Sequence, residues 1–152
     1  MNFSIRKARM SDIREIHALL LTSSADGLLI PRSLVALYGH LRDFYVVEDN
    51  SKIIGCGAMS ILWENLAEVR SLAVKQEMRR KGCGRMLVQA CIEETKELDI
   101  HRLFALTYQI PFFHALGFRT VEKDMLPQKV WMDCLHCPKF PDCDETAVLM
   151  EL

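Results

Sequence analysis

The stretch Arg79-Arg80-Lys81-Gly82-Cys83-Gly84-Arg85 gathers guanidinium and ammonium groups around a pair of glycines. Ahead of it runs Glu68-Val69-Arg70-Ser71-Leu72-Ala73-Val74, which reads as a strand, and behind it Met86, Leu87, Ala90, Cys91 and Thr95 recur at helical spacing. The first amides of a helix have no acceptor within the helix and carry partial positive charge, and glycines let the backbone close around an anion. Such a turn is suited to holding a phosphate or pyrophosphate. A plain tight turn with a solvated basic face is the alternative, and the strand-to-helix setting favours the anion site. The segment lacks the Gly-Lys-Ser/Thr ending of a P-loop and the early position of a dinucleotide fingerprint.

A second group of reactive side chains is Cys134-x-x-Cys137 followed by Cys143, in a loop that Pro138 and Pro141 keep from forming a helix. The spacing is that of a zinc knuckle, with His136, Asp142 or Asp144 available as a fourth ligand. Zinc at Cys134, Cys137 and Cys143 is one expectation; free or redox-active thiols are the other. The remaining cysteines, Cys56, Cys83 and Cys91, are scattered and read as reduced thiols.

The elements that must position these residues can be read in order. Phe3 to Ala8 alternates as a short strand, and Ser11-Asp12 caps a helix carrying Ile13, Ile16, Leu19 and Leu20 on one side. Pro31-Arg32-Ser33 opens a shorter helix to about Gly39. Residues 44–48 and 52–61 form a hairpin around Asp49-Asn50-Ser51, and Trp63-Glu64-Asn65 leads into a third strand, 66–74. After the basic turn and its helix come a strand at 101–107, a short helix at 111–116, an extended segment from Gly117-Phe118 and a closing strand at 146–152. The order indicates an α+β fold, a mixed sheet covered by helices.

A length of 152 residues suits one domain, 1–152, with a Cys-rich loop at 131–145. Half of the residues are apolar (50%) and the net charge is −1, so neither nucleic acid nor an anionic membrane is an expected partner. With neither a signal peptide nor a long apolar run, the chain is expected to be cytoplasmic.

Arg79-x-x-Gly82-x-Gly84 after Leu72-Ala73-Val74 resembles the coenzyme A pyrophosphate loop of the GNAT superfamily of N-acetyltransferases. Phe113-His114-Ala115-Leu116-Gly117-Phe118 resembles its second signature, and the two stand in the right order about 30 residues apart. Within the superfamily the chain is most similar to the acetyltransferase domain of N-acetylglutamate synthase, through Leu29 to Ser33, Ile54 to Ala58, Glu68 to Val74, Leu103 to Thr107, Phe113 to Phe118 and Leu126-Pro127. The arginine-sensing kinase-like domain of many synthases has no counterpart in these residues, so feedback of that kind is not expected.

The resemblance implies a GNAT fold, with a mostly antiparallel mixed sheet, and acetyl transfer from acetyl-CoA to an amine, with an amino acid such as glutamate as acceptor. It implies that the amides of Leu72, Ala73 and Val74 hold the thioester carbonyl and pantetheine arm, Leu72 acting as oxyanion stabiliser, and that Arg79, Arg80, Lys81, Gly82, Cys83, Gly84 and Arg85 hold the pyrophosphate. Thr107 and Phe113 would line the cofactor. Glu68 matches a glutamate proposed as general base; read without the family, it would be a surface acid or a strand-end salt bridge. Arg32 and, less directly, Lys129 would hold a substrate carboxylate, the alternative for Arg32 being a helix-start arginine facing water. Many family members have tyrosine where this chain has Phe113, which cannot donate a proton to the departing thiolate; Tyr108 is nearby in sequence. The expected partners are a small-molecule substrate and a second copy of the chain. The substitution at 113 and the Cys-rich loop keep open a non-catalytic acyl-CoA or zinc-binding module. A different amine is a further alternative, against which Arg32 argues if the acceptor is cationic.

Overall fold

The computed structural model describes residues 2–25, 32–126 and 145–152. Strands β1 (Phe3–Lys7), β2 (Phe44–Asp49), β3 (Lys52–Trp63), β4 (Leu66–Val74), β5 (Arg102–Thr107), β6 (Arg119–Val121) and β7 (Thr146–Glu151) are interleaved with helices α1 (Ile13–Ala25), α2 (Leu34–Gly39), α3 (Cys83–Glu97) and α4 (Ile110–Ala115). They form one seven-stranded mixed sheet in the order β1-β2-β3-β4-β5-β7-β6, the α+β arrangement anticipated. The β1–β2, β2–β3, β5–β7 and β6–β7 pairings are antiparallel. Strands β4 and β5 run parallel, Ala67 opposite Leu103 and Glu68 opposite Phe104. A parallel step needs a crossover connection, which α3 supplies. By contact density the chain divides into two compact units, Met1–Met59 with Val69–Glu94 and Ser60–Glu68 with Thr95–Leu152.

In the first unit, Asn50 and Ser51 turn the β2–β3 hairpin at φ 52° and 65°, the left-handed pair that a two-residue hairpin loop requires. A bulge follows: Val47 faces Gly55 while Glu48 faces Ile53, so Ile54 is an extra residue. The bulge turns Ile54 out of the strand's alternation. Ile53, Cys56 and Ala58 pack with Ile13, Ile16, Leu19 and Leu20 of α1 and Leu37 of α2. Ile54 joins the other cluster, with Val47, Cys83 and Leu87. Each fully buried aliphatic side chain contributes about 1.5–3 kcal/mol, so the two clusters are what hold the helices on the strands. Cys56, Cys83 and Cys91 are buried and form no disulfide with one another. Burial pushes the Cys56 and Cys91 thiols up to about 12.

An ionic network ties β1 to the start of α1. Arg6 donates from Nη1 to Asp12 Oδ2 at 2.7 Å and from Nη2 to Asp12 Oδ1 at 3.0 Å, and its Nε donates to Glu48. The Arg9 amide also donates to Asp12 Oδ2, at 2.7 Å. The Arg6 guanidinium therefore holds the Asp12 carboxyl below the usual carboxylate range. A depressed carboxylate stabilises the fold fully above its unfolded value, near about 3.9, and that stability is lost as pH falls through the folded-state value. Asp12→Asn is expected to cost about 1–3 kcal/mol at pH 7, and the gap in melting temperature from wild type should narrow at pH 3. Thermal unfolding at both pH values checks this; an undiminished gap at pH 3 would assign the loss to packing instead.

In the second unit β7 lies between β5 and β6, pairing Arg102 with Glu151 through Thr107 with Thr146 on one side and Arg119 with Leu149 through Val121 with Ala147 on the other. Leu62, Leu66, Phe104, Leu126, Ala147 and Leu149 make its core. Phe113 sits edge-on to both Phe112 and Phe118, with centroids 5.1 Å apart in each pair. Gly117, at φ 102°, ends the α4 turn, where the Phe118 amide donates to the Phe113 carbonyl at 3.1 Å.

Several expected boundaries shift: β1 ends at Lys7, β2 at Asp49, β5 starts at Arg102 and α4 spans Ile110–Ala115. Strand β3 runs through Trp63, because Leu62 is buried between exposed Ile61 and Trp63 in strand alternation, and the turn shrinks to Glu64-Asn65. Helix α2 starts at Leu34, where Ser33 Oγ accepts from the Ala36 amide at 3.1 Å. The closing strand ends at Glu151. Among the described residues no helix is long and apolar enough to cross a membrane.

Candidate active site

The segment with the most chemistry runs from the end of β4 into α3. Ser71 sits inside β4 at φ 55°, a left-handed residue that interrupts the pleat and redirects the amides after it. Beyond it Leu72 and Val74 are half-buried and Ala73 is buried. Two bonds fasten the strand's end: the Lys75 amide donates to the Ile54 carbonyl at 2.8 Å, and Arg79 Nε donates to the Val74 carbonyl at 3.3 Å. A 3-10 turn, Gln76–Met78, reverses the chain between them.

Arg80 and Gly82 then adopt φ 64° and 93°, one on each side of Lys81. Alternation of left-handed with ordinary residues curls successive amides toward one point, an arrangement that binds anions. The Met86 amide closes the first turn of α3 on the Gly82 carbonyl at 3.0 Å, so Cys83, Gly84 and Arg85 occupy the turn whose amides have no acceptor within the helix. Cys83 is buried against Val47, Ile54 and Leu87 and anchors the loop, whereas Arg80, Lys81 and Arg85 are exposed. Positive side chains, the positive end of a 15-residue helix and a curled backbone therefore coincide. Leu72, Ala73, Val74 and Arg79 to Arg85 all belong to the first unit and are brought together there.

The other candidates are placed as follows. Glu68 is 3% exposed, opposite Phe104 in the parallel register, so the surface-acid alternative is set aside. Thr107 is buried and its Oγ1 accepts from the Gln109 amide at 2.8 Å, ahead of α4. Phe113 is buried in the Phe112–Phe118 cluster, and Tyr108 is half-buried. Glu68, Thr107 and Phe113 belong to the second unit and Arg32 to the first. Arg32 directly precedes the Ser33 cap and is half-buried, with Nη1 shielded from solvent, rather than a fully exposed helix-start arginine. Lys129, Cys134, Cys137 and Cys143 lie outside the described residues. Among the described residues no group of three or more His, Cys, Asp or Glu side chains is placed to hold a metal.

Sequence reasoning missed two features of this site. Ser71 carries no signal for a left-handed backbone, since serine has no special tolerance of positive φ. The pair Gly55 and Gly57 in β3 did carry one, because glycine inside a strand marks close backbone approach.

Residues 13–118 match the Acetyltransferase (GNAT) family. The chain is 38% identical over 148 residues to an uncharacterized N-acetyltransferase of Chlorobaculum tepidum, covering 97% of this chain and 96% of the relative. It is 36% identical over 121 residues to an amino-acid acetyltransferase of Mycobacterium tuberculosis, covering 78% and 69%. Among solved structures, the N-acetylglutamate synthase of Neisseria gonorrhoeae, complexed with coenzyme A and N-acetyl-glutamate, superposes with a TM-score of 0.89 at 28% identity, over 100% of this chain and 35% of the synthase. With its fold, its basic glycine turn and a family match over most of its length, the chain belongs to the GNAT family of acetyltransferases.

Proposed function

We propose that this acetyltransferase moves an acetyl group from acetyl-CoA to the α-amino group of a carboxylated amino acid of the glutamate type, and that residues 1–152 act as one acetyltransferase domain. The observation that carries the reading is the loop from Arg79 to Arg85, where left-handed Arg80 and Gly82 bracket Lys81 at the start of α3. A diphosphate is the anion that fits such a curl of amides flanked by cations. The names of the relatives support the acceptor class, and so does the half-buried guanidinium of Arg32, whose fork matches a carboxylate.

In this reading the loop holds the pyrophosphate, Thr107 and Phe113 line the coenzyme, and the amides following left-handed Ser71, those of Leu72 and Val74, receive the pantetheine arm and the thioester carbonyl. Arg32 and Lys129 hold the acceptor's carboxylates. Glu68 takes a proton from the acceptor ammonium through water, which frees the lone pair. The amine nitrogen bonds to the carbonyl carbon, the developing oxyanion is held by the Leu72 amide, and the carbon–sulfur bond then breaks. The carbonyl re-forms as the electron pair leaves with sulfur, the attacking nitrogen gives its second proton to water, and the thiolate, whose conjugate acid has a pKa near that of a free thiol, departs without an obligatory acid and takes up its proton from solvent. That accounts for phenylalanine at 113. Most of the acceleration comes from holding the two substrates together, which needs rigid placement more than exotic side chains.

The test is to incubate the chain with acetyl-CoA and a panel of amino acids, polyamines and peptides with free N-termini while following released thiol. Turnover with glutamate or a related acidic or amidic amino acid is expected. Turnover only with cationic amines, or none in the whole panel by a protein that binds coenzyme A, would overturn the acceptor assignment.

A further inference from the structure

Gly55 and Gly57 adopt ordinary negative-φ or extended backbone; among the described residues the glycines at positive φ are Gly82 and Gly117. Conformational freedom therefore does not explain them, and the space around them does. A Cβ on Gly57 would stand 3.1 Å from Leu72 Cδ1 and 3.5 Å from Leu87 Cβ. A Cβ on Gly55 would stand 3.3 Å from the Ala73 carbonyl oxygen, 3.4 Å from Leu87 Cδ1 and 3.5 Å from Val74 Cγ2. Carbon atoms pack best at about 3.5–4.0 Å, so a side chain at either position must push a neighbour away. The neighbours are Leu72, Ala73 and Val74 of β4, directly after left-handed Ser71, and Leu87, about one turn into α3.

We infer that Gly55 and Gly57 are positioning residues: their missing side chains let the Leu72–Val74 backbone and the first turn of α3 seat against one strand, which fixes the spacing between the amides that face the thioester and those that face the diphosphate. The inference rests on the reading of those two amide groups given under Proposed function. A purely structural pair would be replaceable at a cost in stability alone. A positioning pair must change turnover, because a thioester held a few tenths of an ångström off its stabilising amide still binds but reacts slowly; a 1 Å error can cost about a hundredfold.

The two sites also differ in what they press on. At Gly57 the tightest neighbour is the tip of a side chain, Leu72 Cδ1, and at Gly55 it is a backbone carbonyl. Leu72→Val removes the Cδ1 atom, so it should relieve a methyl added at 57 and leave one added at 55 unrelieved.

The experiment is a double-mutant cycle on the full chain: wild type, Gly57→Ala, Leu72→Val and the double variant, with Gly55→Ala alone and in the Leu72→Val background. For each, kcat and KM for acetyl-CoA, calorimetric Kd for coenzyme A and melting temperature are measured. Gly39→Ala, where nothing lies within 4 Å of an added Cβ, is the control. We expect Gly57→Ala to lower kcat about tenfold with Kd for coenzyme A changed less than about threefold, and the same step to cost less than about twofold in the Leu72→Val background. Gly55→Ala should cost as much in either background. Should Gly57→Ala alone not fold, the double variant must still turn over within about threefold of Leu72→Val. Unchanged kcat in Gly57→Ala, an equal loss in both backgrounds, or a double variant far below Leu72→Val would each overturn the inference while wild type continues to bind coenzyme A. A wild-type chain that does not bind it overturns the functional reading as well.

Discussion

Gly82→Val is expected to weaken coenzyme A binding about a hundredfold, the largest loss for any single change in the loop. Gly82 sits at φ 93°, where a β-branched side chain is most strained. Holding valine there costs of order 1–3 kcal/mol, and relieving the strain rotates the amides on either side out of the curl. If the loop keeps its shape the strain weakens folding; if it relaxes, the site loses its donors. A loss of about 2.7 kcal/mol corresponds to the hundredfold change. Calorimetric titration with coenzyme A, beside thermal unfolding, separates the two costs. Because Arg80, Lys81 and Arg85 are exposed, charge reversal at any one of them should be milder and should shrink with added salt, as exposed charges are screened. A Kd within about threefold of wild type for Gly82→Val would remove the loop from the binding site.

Glu68→Gln is expected to lower kcat by about 10²–10³ with little change in Kd for coenzyme A. The substitution keeps the shape of a side chain that is 3% exposed and removes its charge, and with it the capacity to accept a proton as a carboxylate. A general base contributes in that range, and its loss falls on turnover because it acts after both substrates are held. Steady-state kinetics with saturating acetyl-CoA and the preferred amine provide the measurement. A deficit below about threefold, in a variant that melts like wild type, would make Glu68 a packing and pairing residue of the β4–β5 junction instead.

How far the sequence discloses this molecule depends on which interactions are local. The β2–β3 hairpin, β4 from Leu66 to Val74 and α3 were legible because alternation, the Asp49-Asn50-Ser51 turn and helix-spaced apolar residues are set by neighbours in the chain. The insertion of β7 between β5 and β6 was not, since nothing in Thr146 to Glu151 names its partners. The same holds for Asp12. Local pattern makes it an acceptor for the first amides of α1, whereas its carboxylate accepts from the upstream Arg9 amide and from the Arg6 fork, the latter a tertiary contact invisible to local pattern. In the proposed site, Arg79 to Arg85 could be recognised from residue type and order. The left-handed backbone at Ser71 could not, because serine has no preference for it. The Gly55-x-Gly57 pair falls between these cases, visible as a signal of close approach but silent about what approaches.

The burial of Cys56, Cys83 and Cys91 bears on how the enzyme can be watched. With Cys56 and Cys91 protonated up to about 12, the reactive thiolate form is negligible at neutral pH, and attack by a disulfide reagent or an alkylating agent must wait for the surrounding residues to part. These sulfurs therefore stay silent while the coenzyme's freed thiol is counted. Left with such a reagent and no substrate, they become a clock, ticking at the rate at which the first unit breathes open.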